Sequence, residues 1–454
     1  MVVRCTLFVI IMLTVIMPCT FGEAVSVASL QELGTALQTA GAGTVISISA
    51  TGELDWPITV TRSGSEDNPL TIQAVEPEAT TFVLEEPLLL KECSHVEVRG
   101  MHFRQCKNGA LCFDRTTQCR ATECRFTECT GKDMVRFMGA GRGNRLDHCI
   151  FSGNAVRNLS IRVSGDTPIA TRIDHNVFED VPPIGGNGRE TIQIGQNQRQ
   201  YGQVDVGAIV EFNEFRRCNG EGEIISNKSS GNTYHHNDFI ECKGELVMRG
   251  GADCVITHNR FERCYGGIRL SGNGHEVTHN VVWASRNTGI RLLYGMSDEP
   301  PAFYPAVYDC LLANNTIVGA RKAGIFIGSC RGQDFSNREK MASDPEKYGE
   351  NLVQNVAPHD NRFVNNIVVG EEGALIKIDG APDNIIERTL LYATRDAKIT
   401  ETGEDAILAD PEFVNPEEGD FRLKPESPAR GTGKDWLNRG HAPDIGAGVP
   451  AEMQ

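Results

Sequence analysis

Glu221, Glu223 and Lys228 lie in one short stretch, Glu221-Gly222-Glu223-Ile224-Ile225-Ser226-Asn227-Lys228. Two carboxylates one residue apart and a lysine five further on interrupt what otherwise reads as a β-strand, where side chains normally pack. Arg249 follows 21 residues after Lys228, in Leu246-Val247-Met248-Arg249-Gly250. A lysine and an arginine at that spacing can move a proton on a bound molecule or hold an anion. Asn187 and Glu190, in Asn187-Gly188-Arg189-Glu190, precede Glu221 by one expanded repeat. Three carboxylates and an amide suit a hard cation such as calcium, which takes about 6–8 oxygen ligands. Ion pairing with the surrounding arginines is the alternative use for the same carboxylates.

A second pattern is an apolar residue followed by a cation: Val135-Arg136, Ile161-Arg162, Met248-Arg249, Ile268-Arg269 and Ile290-Arg291, with Ile192-Gln193 in the same place. From Lys228 the steps to Arg249, Arg269 and Arg291 are 21, 20 and 22 residues. This regularity predicts that the cations stack as one ladder. Like charges ~5 Å apart on neighbouring strands repel, so folding alone would not choose such a ladder. An extended polymer with a carboxylate or sulfate on each unit would explain it, and Arg136, Arg162, Gln193, Arg269 and Arg291 are its candidate binding residues. Strict alternation sends Glu221 and Glu223 to one face and Lys228 to the other. A bulge must therefore intervene, with Ser226-Asn227 as its expected place.

The elements that carry these residues are read from a recurring phrase: His175-Asn176-Val177-Phe178, Phe212-Asn213-Glu214-Phe215, His236-Asn237-Asp238-Phe239, His258-Asn259-Arg260-Phe261, His279-Asn280-Val281-Val282, Asn314-Asn315-Thr316-Ile317 and Asn365-Asn366-Ile367-Val368. The asparagines are spaced by 37, 24, 22, 21, 35 and 51 residues, a unit of roughly 22 with insertions. A unit so short cannot bury its own apolar face and must stack on copies of itself. The expected fold is all-β, a single-stranded right-handed parallel β-helix in which the asparagines hydrogen-bond up and down the stack. With 47 glycines and few long helical periods, an α-solenoid is excluded. Ser29-Leu30-Gln31-Glu32 has the capping-box form and predicts a short N-terminal capping helix to about Thr39. Segments 297–309 and 331–360 read as loops leaving the coil, 23–409 as the β-helix, and 410–454 as a segment closing its C-terminal end.

Residues 1–22, with Arg4 ahead of an apolar run, read as a secretory signal peptide, so the protein is expected to be exported, either periplasmic or secreted. Its removal takes the net charge from −16 to −17. That balance argues against nucleic acid and against stable membrane association, while a local cationic cleft still admits an acidic polysaccharide. A monomer is expected. Thirteen of the 15 cysteines remain after cleavage, and Cys129, Cys218, Cys242 and Cys264 recur at one place in the repeat. They predict a mainly reduced internal stack.

The set Asn187-x-x-Glu190, Glu221-x-Glu223-Ile-Ile-x-x-Lys228-Ser229 and Arg249 resembles polysaccharide lyase family 6, the alginate lyases and chondroitinase B. The motif match is confined to 187–269, while the β-helix likeness covers nearly the whole mature chain. The resemblance implies Lys228 as Brønsted base, Arg249 as acid, and Asn187, Glu190, Glu221 and Glu223 as calcium ligands. Two positions depart from the family pattern: Gly250 stands where histidine is common, and Gln193 where arginine is common. The implied reaction is β-elimination on a uronate-containing polymer, alginate ahead of chondroitin or dermatan sulfate. A C5-epimerase and a non-catalytic polysaccharide-binding β-helix are the alternatives.

Overall fold

A computed structural model describes residues 22–448, apart from 50–51, 55–57, 78–79, 132, 184–186, 201, 298–302 and 440. The segment read as a signal peptide lies outside the described residues. Three parallel sheets of 14, 12 and 14 strands run the length of the chain, and each successive strand of a sheet comes from the next repeat. This is the parallel β-helix that the repeat predicts. Strands begin at Ala24 and the coil ends with Ile407–Leu408. Helix Leu30–Thr39 sits at the N-terminal end with Ser29 as its cap, the Ser29 hydroxyl accepting from the Glu32 N–H at 3.2 Å.

Why the phrase recurs is visible at the turn between the first and third sheets. The residue before each asparagine takes a left-handed conformation, with φ from 51° to 57° between Phe212 and His279. The chain thereby turns in two residues, and the asparagine side chain points inward. There Asn176, Asn213, Asn237, Asn259, Asn280, Asn315 and Asn366 form one ladder, each amide donating to the next at 2.9–3.0 Å. The ladder satisfies backbone groups that the turn would otherwise bury unpaired. Inside the coil Phe103, Phe126, Phe151, Phe178, Phe215, Phe239 and Phe261 stack at 4.4–5.1 Å. Burial of each ring contributes about 1.5–3 kcal/mol. The 13 cysteines from Cys93 to Cys330 are unbridged and all but Cys330 are buried, Cys218 against Cys242 among them.

The non-repeating pieces pack on the coil. Residues from both insertions, Met296, Phe303, Phe335, Tyr348 and Leu352, share a small core of their own. The loops expected to leave the coil thus pair with each other beside it. The C-terminal segment forms a hairpin, Phe413–Asn415 with Asp420–Leu423, and lies along the third sheet over Trp283, Val318, Ile367 and Leu390. Trp436 Nε1 donates to Asn314 Oδ1 at 2.9 Å, which ties this segment to the asparagine turn. Among the described residues no helix is long and apolar enough to cross a membrane.

Buried acids brace the first sheet. Asp147 takes Arg120 at 2.5 Å and Asp174 takes Arg145 at 2.6 Å, both carboxylates fully covered. Burial pushes these carboxyls up, but hydrogen bonds from Arg120 and His148, and from Arg145 and His175, more than reverse it and leave both below the ordinary range. A depressed folded pKa gives stability that is complete above the unfolded value of about 4 and is lost as pH falls through the folded value. Acid titration of the wild type should therefore show a loss of stability below about pH 4. The Asp147→Asn, Asp174→Asn double variant should be less stable at pH 7 and lose less on acidification, as read by urea midpoints at both pH values.

Candidate active site

The chemistry gathers on the 12-stranded sheet. Its core side is set by aliphatic residues in register, Val135, Leu159, Ile192, Ile225, Leu246, Ile268 and Ile290. The next residue on each strand faces outward, giving the column Arg136, Ser160, Gln193, Ser226, Val247, Arg269, Arg291, Phe326 and Lys377. Two residues ahead of the core position stand Asp133, Arg157, Glu190 and Glu223, all buried, and Glu223 in turn pairs with Glu245.

This register corrects the single cation ladder. Arg136, Gln193, Arg269 and Arg291 share one column, interrupted by two serines and a valine, while Lys228 lies in the next outward column between Gly195 and Gly250. Nor are the cations left to repel. Arg162 reaches Asp133 at 2.6 Å, Lys228 reaches Glu190 at 3.3 Å, Arg249 and Arg269 reach Glu223 at 3.2 and 2.5 Å, and Arg291 reaches Glu245 at 2.5 Å. Carboxylates of the same sheet balance most of the charge.

The expected bulge is present but elsewhere. Pairing between strands Glu223–Lys228 and Glu245–Gly250 slips once at Ile224 and once at Arg249. Ile224 and Ile225 are consecutive core residues, so the phase resets between Glu223 and Ser226 instead of at Ser226-Asn227. From there alternation is regular: Asn227 is buried, bonded by Tyr234 Oη at 2.9 Å, and Lys228 points out with Glu223 and Ser226. The second slip adds Arg249 to its strand and leaves Lys228 opposite Gly250.

Glu190, Glu221 and Glu223 offer carboxylate oxygens within 4.8 Å of one another. Burial raises the Glu190 carboxyl, but Lys228 and Arg157 outweigh it and hold it below the usual range. Glu223 is likewise raised by burial, then brought down to about 2 by Arg249, Arg269 and Lys228. Glu221 differs. Burial and the negative charge of Glu190 push it up to about 6, and its partners are the N–H groups of Gly188 and Arg189, at 2.8 and 3.0 Å. Asn187 is exposed, one residue before the Gly188 N–H that donates to Glu221.

Lys228 is 6% exposed and Arg249 5%. Lys228 Nζ donates to Gln193 Oε1 at 3.0 Å as well as to Glu190. Burial lowers its pKa, Glu190 works against that, and Arg249 adds to the lowering, so the ammonium sits below the ordinary lysine value. Arg249 stays charged: burial lowers its pKa, but Glu223 more than restores it. Arg136 is five rungs from Arg269 in its column, about 24 Å at ~4.8 Å per rung. With Arg162, Ser164 and Gln196 it lines a groove of about 690 Å³.

Four side chains here escaped the reading of the sequence. Asp133, Arg157 and Glu245 were legible only by counting back from the core aliphatics. Tyr304, on the first insertion, has its ring 4.9 Å from the Arg249 guanidinium carbon.

The sequence pattern that describes chondroitinase B matches residues 27–404. The chain belongs to the chondroitinase B family. A mannuronic acid specific polysaccharide family 6 lyase from the human gut microbiota is 25% identical, with a TM-score of 0.72 over 87% of this chain and 93% of its own. The family 6 alginate lyase AlyGC, 24% identical, has a TM-score of 0.72 over 86% of this chain and 54% of its own. Pedsa3628 of Pseudopedobacter saltans, a family 6 polysaccharide lyase 22% identical, has a TM-score of 0.65 over 89% of this chain and 97% of its own. No curated protein matches the chain. Family and fold together make this member of the chondroitinase B family a polysaccharide lyase of the family 6 type.

The two glycines flanking Lys228 differ physically. Gly195 has φ +82°, and a Cβ there would lie 2.6 Å from the Lys228 carbonyl oxygen, whereas a Cβ at Gly250 would meet only the Lys228 Cα, at 3.9 Å. Gly195→Ala should therefore cost about 2 kcal/mol or more. Gly250→Ala should stay within about 1 kcal/mol of the wild type. Denaturant midpoints of the two variants check the difference.

Proposed function

We propose that the chain cleaves a uronate-containing polysaccharide by calcium-dependent β-elimination, with alginate as the first substrate to test and chondroitin or dermatan sulfate next. The observation that carries this reading is Lys228: a buried lysine with a lowered pKa, set between Glu190 and Gln193 and facing the same side as Arg249 and Arg269. The specificity of the gut relative for mannuronic acid supports alginate first.

In this reading Lys228, once neutral, takes the proton from C5 of the uronate. Arg269 meets the sugar carboxylate and lowers the cost of the charge that develops as the C5 proton leaves. Arg249 keeps its own charge at any useful pH, so it serves the departing C4 oxygen by orienting it and the water that protonates it. The C4–O bond breaks, a C4–C5 double bond forms, and the new chain end is an unsaturated uronate. Arg136, Arg162, Gln193 and Arg291 line the approach on either side. The export expected from residues 1–22 would place the enzyme where such polymers are found.

Asn187, Glu190, Glu221 and Glu223 fit a calcium ion. The donors are all oxygens, and among the described residues Glu221, unlike Glu190 and Glu223, makes no ion pair with a cation; burial and the charge of Glu190 raise its pKa. When bound, calcium would withdraw charge from the substrate carboxylate and make the C5 proton more acidic.

Two outcomes test the proposal. Lys228→Ala should lower turnover by ~100-fold or more while oligo-uronate binding stays within a few-fold, and Lys228→Arg should rescue little because guanidinium keeps its proton. Wild-type turnover should rise with pH as Lys228 deprotonates, at a pH below that of an ordinary lysine. The measurement is the ultraviolet absorbance of the unsaturated product on polymannuronate, polyguluronate and dermatan sulfate. Wild-type turnover by Lys228→Ala on whichever polymer is cleaved would remove the base. Separately, a chelator should abolish turnover and calcium should restore it; full activity in metal-free buffer would leave the carboxylates to ion pairing alone.

A further inference from the structure

Arg249 is held weakly by charge. Among the described residues its one ion pair is with Glu223 Oε1 at 3.2 Å, and that same oxygen is taken more closely by Arg269 at 2.5 Å. Its Nε is buried and finds no hydrogen-bond partner among the described residues. A guanidinium on a long side chain with one shared contact can pivot about that contact. Something else must fix its plane.

Tyr304 stands in that place. The Arg249 guanidinium carbon lies over its ring, 4.9 Å from the centroid, and the Tyr304 N–H donates to the Arg249 carbonyl at 2.9 Å. The ring therefore follows the strand that carries the arginine. Behind it, Phe303 and Phe335 pack against the ring at 5.3 and 5.6 Å, Phe335 nearly parallel at 28°. Both phenylalanines belong to the core that the two insertions share with Met296, Tyr348 and Leu352. So a segment with no place in the repeat delivers a rigidly backed aromatic face to one arginine.

We propose that Tyr304 is a positioning residue of the active centre, its ring face holding the Arg249 guanidinium in its working orientation. The proposal rests on the reading of Arg249 as the group that serves the leaving oxygen. The face of the ring is electron-rich and attracts the cation, while the flat contact restricts its rotation. Misplacement of a catalytic group by about 1 Å costs on the order of 100-fold in rate, so loss of the ring acts on turnover more than on binding.

The test compares Tyr304→Phe and Tyr304→Leu in the full-length protein, with melting temperature recorded for each. Kinetics on the cleaved polymer are paired with the rate at which phenylglyoxal labels Arg249, followed by peptide mass spectrometry. Tyr304→Leu should lower kcat by ~10–100-fold with KM within about threefold, and Arg249 should label several-fold faster. Tyr304→Phe, which keeps the ring, should bring kcat and labelling back to within about threefold of the wild type. If Tyr304→Leu does not melt cooperatively, Tyr304→Met, bulky but without a ring face, is read in its place. Wild-type kcat and labelling in the ring-less variant would overturn the proposal. So would a Tyr304→Phe as impaired as Tyr304→Leu, since the hydroxyl would then be the acting group. If no uronate polymer is cleaved by the wild type, the lyase reading fails, and the labelling rates still decide whether the ring holds Arg249.

Discussion

Burying a charge costs several kcal/mol unless an opposite charge lies within reach, and the candidate active site of this chain is built on that constraint. Cations and carboxylates occupy neighbouring columns of one parallel sheet, and the longer side chains lean back along the coil to find partners. Arg269 and Arg291 each span 46 residues, two rungs, to reach Glu223 and Glu245. Arg157 ties Asp133 to Glu190, at 2.9 and 2.6 Å. Six cations, Arg157, Arg162, Lys228, Arg249, Arg269 and Arg291, thus face five acids, Asp133, Glu190, Glu221, Glu223 and Glu245. Near-neutral as it stands, the cluster turns clearly cationic if a divalent ion joins it. An acidic protein can in this way offer a polyanion a favourable cleft without a positive surface elsewhere.

Two slips in strand register decide which side chains take part. A parallel coil copies the phase of one rung to the next, so a functional residue on the wrong face can be recovered only by an extra residue. Ile224 is that residue on one strand and Arg249 on the next. The first costs nothing polar, because the inserted side chain is an isoleucine that the core accepts. The second places the extra side chain itself at the site. Regular pairing from Glu223 to Lys228 would have put an ammonium among the core aliphatics.

Most of the fold was legible because a β-helix writes its rungs into the sequence. The asparagine phrase gave the unit, the inward ladder and the parallel stacking. The capping box at Ser29 gave the helix, and the recurring cysteines gave an internal stack. At the site, residue types and spacings pointed to Lys228, Arg249, Glu190, Glu221 and Glu223, which the fold brings together. What failed was phase. Steps of 20 to 22 residues look like one rung each, yet a one-residue slip changes the outward column without changing the step noticeably. Arg162, Lys228 and Arg249 therefore read as one ladder with Arg136, Arg269 and Arg291 when they are not. The bulge was inferred from the need to turn Lys228 round, but two adjacent isoleucines mark it better than Ser226-Asn227 does. Tyr304 carried no signal at all: it lies in a non-repeating insertion, and its partner is more than 50 residues away in sequence.

The interrupted column also bears on how a polymer would be read. A uniform row of arginines would bind any polyanion in any register, since each shift by one unit would restore the same contacts. Here the column runs Arg136, Ser160, Gln193, Ser226, Val247, Arg269, Arg291, so charge is concentrated at one end and beyond the centre and is absent between. Sliding a bound chain by one residue would move carboxylates off the arginines and onto a valine or a serine. On the proposed reading, register along the groove would be fixed by the gaps as much as by the charges, because discrimination needs positions that penalise the wrong alignment. Lys228 stands in the next outward column beside those gaps, so on the proposed reading the proton acceptor lies next to the uncharged stretch while Arg269, at its edge, takes the carboxylate.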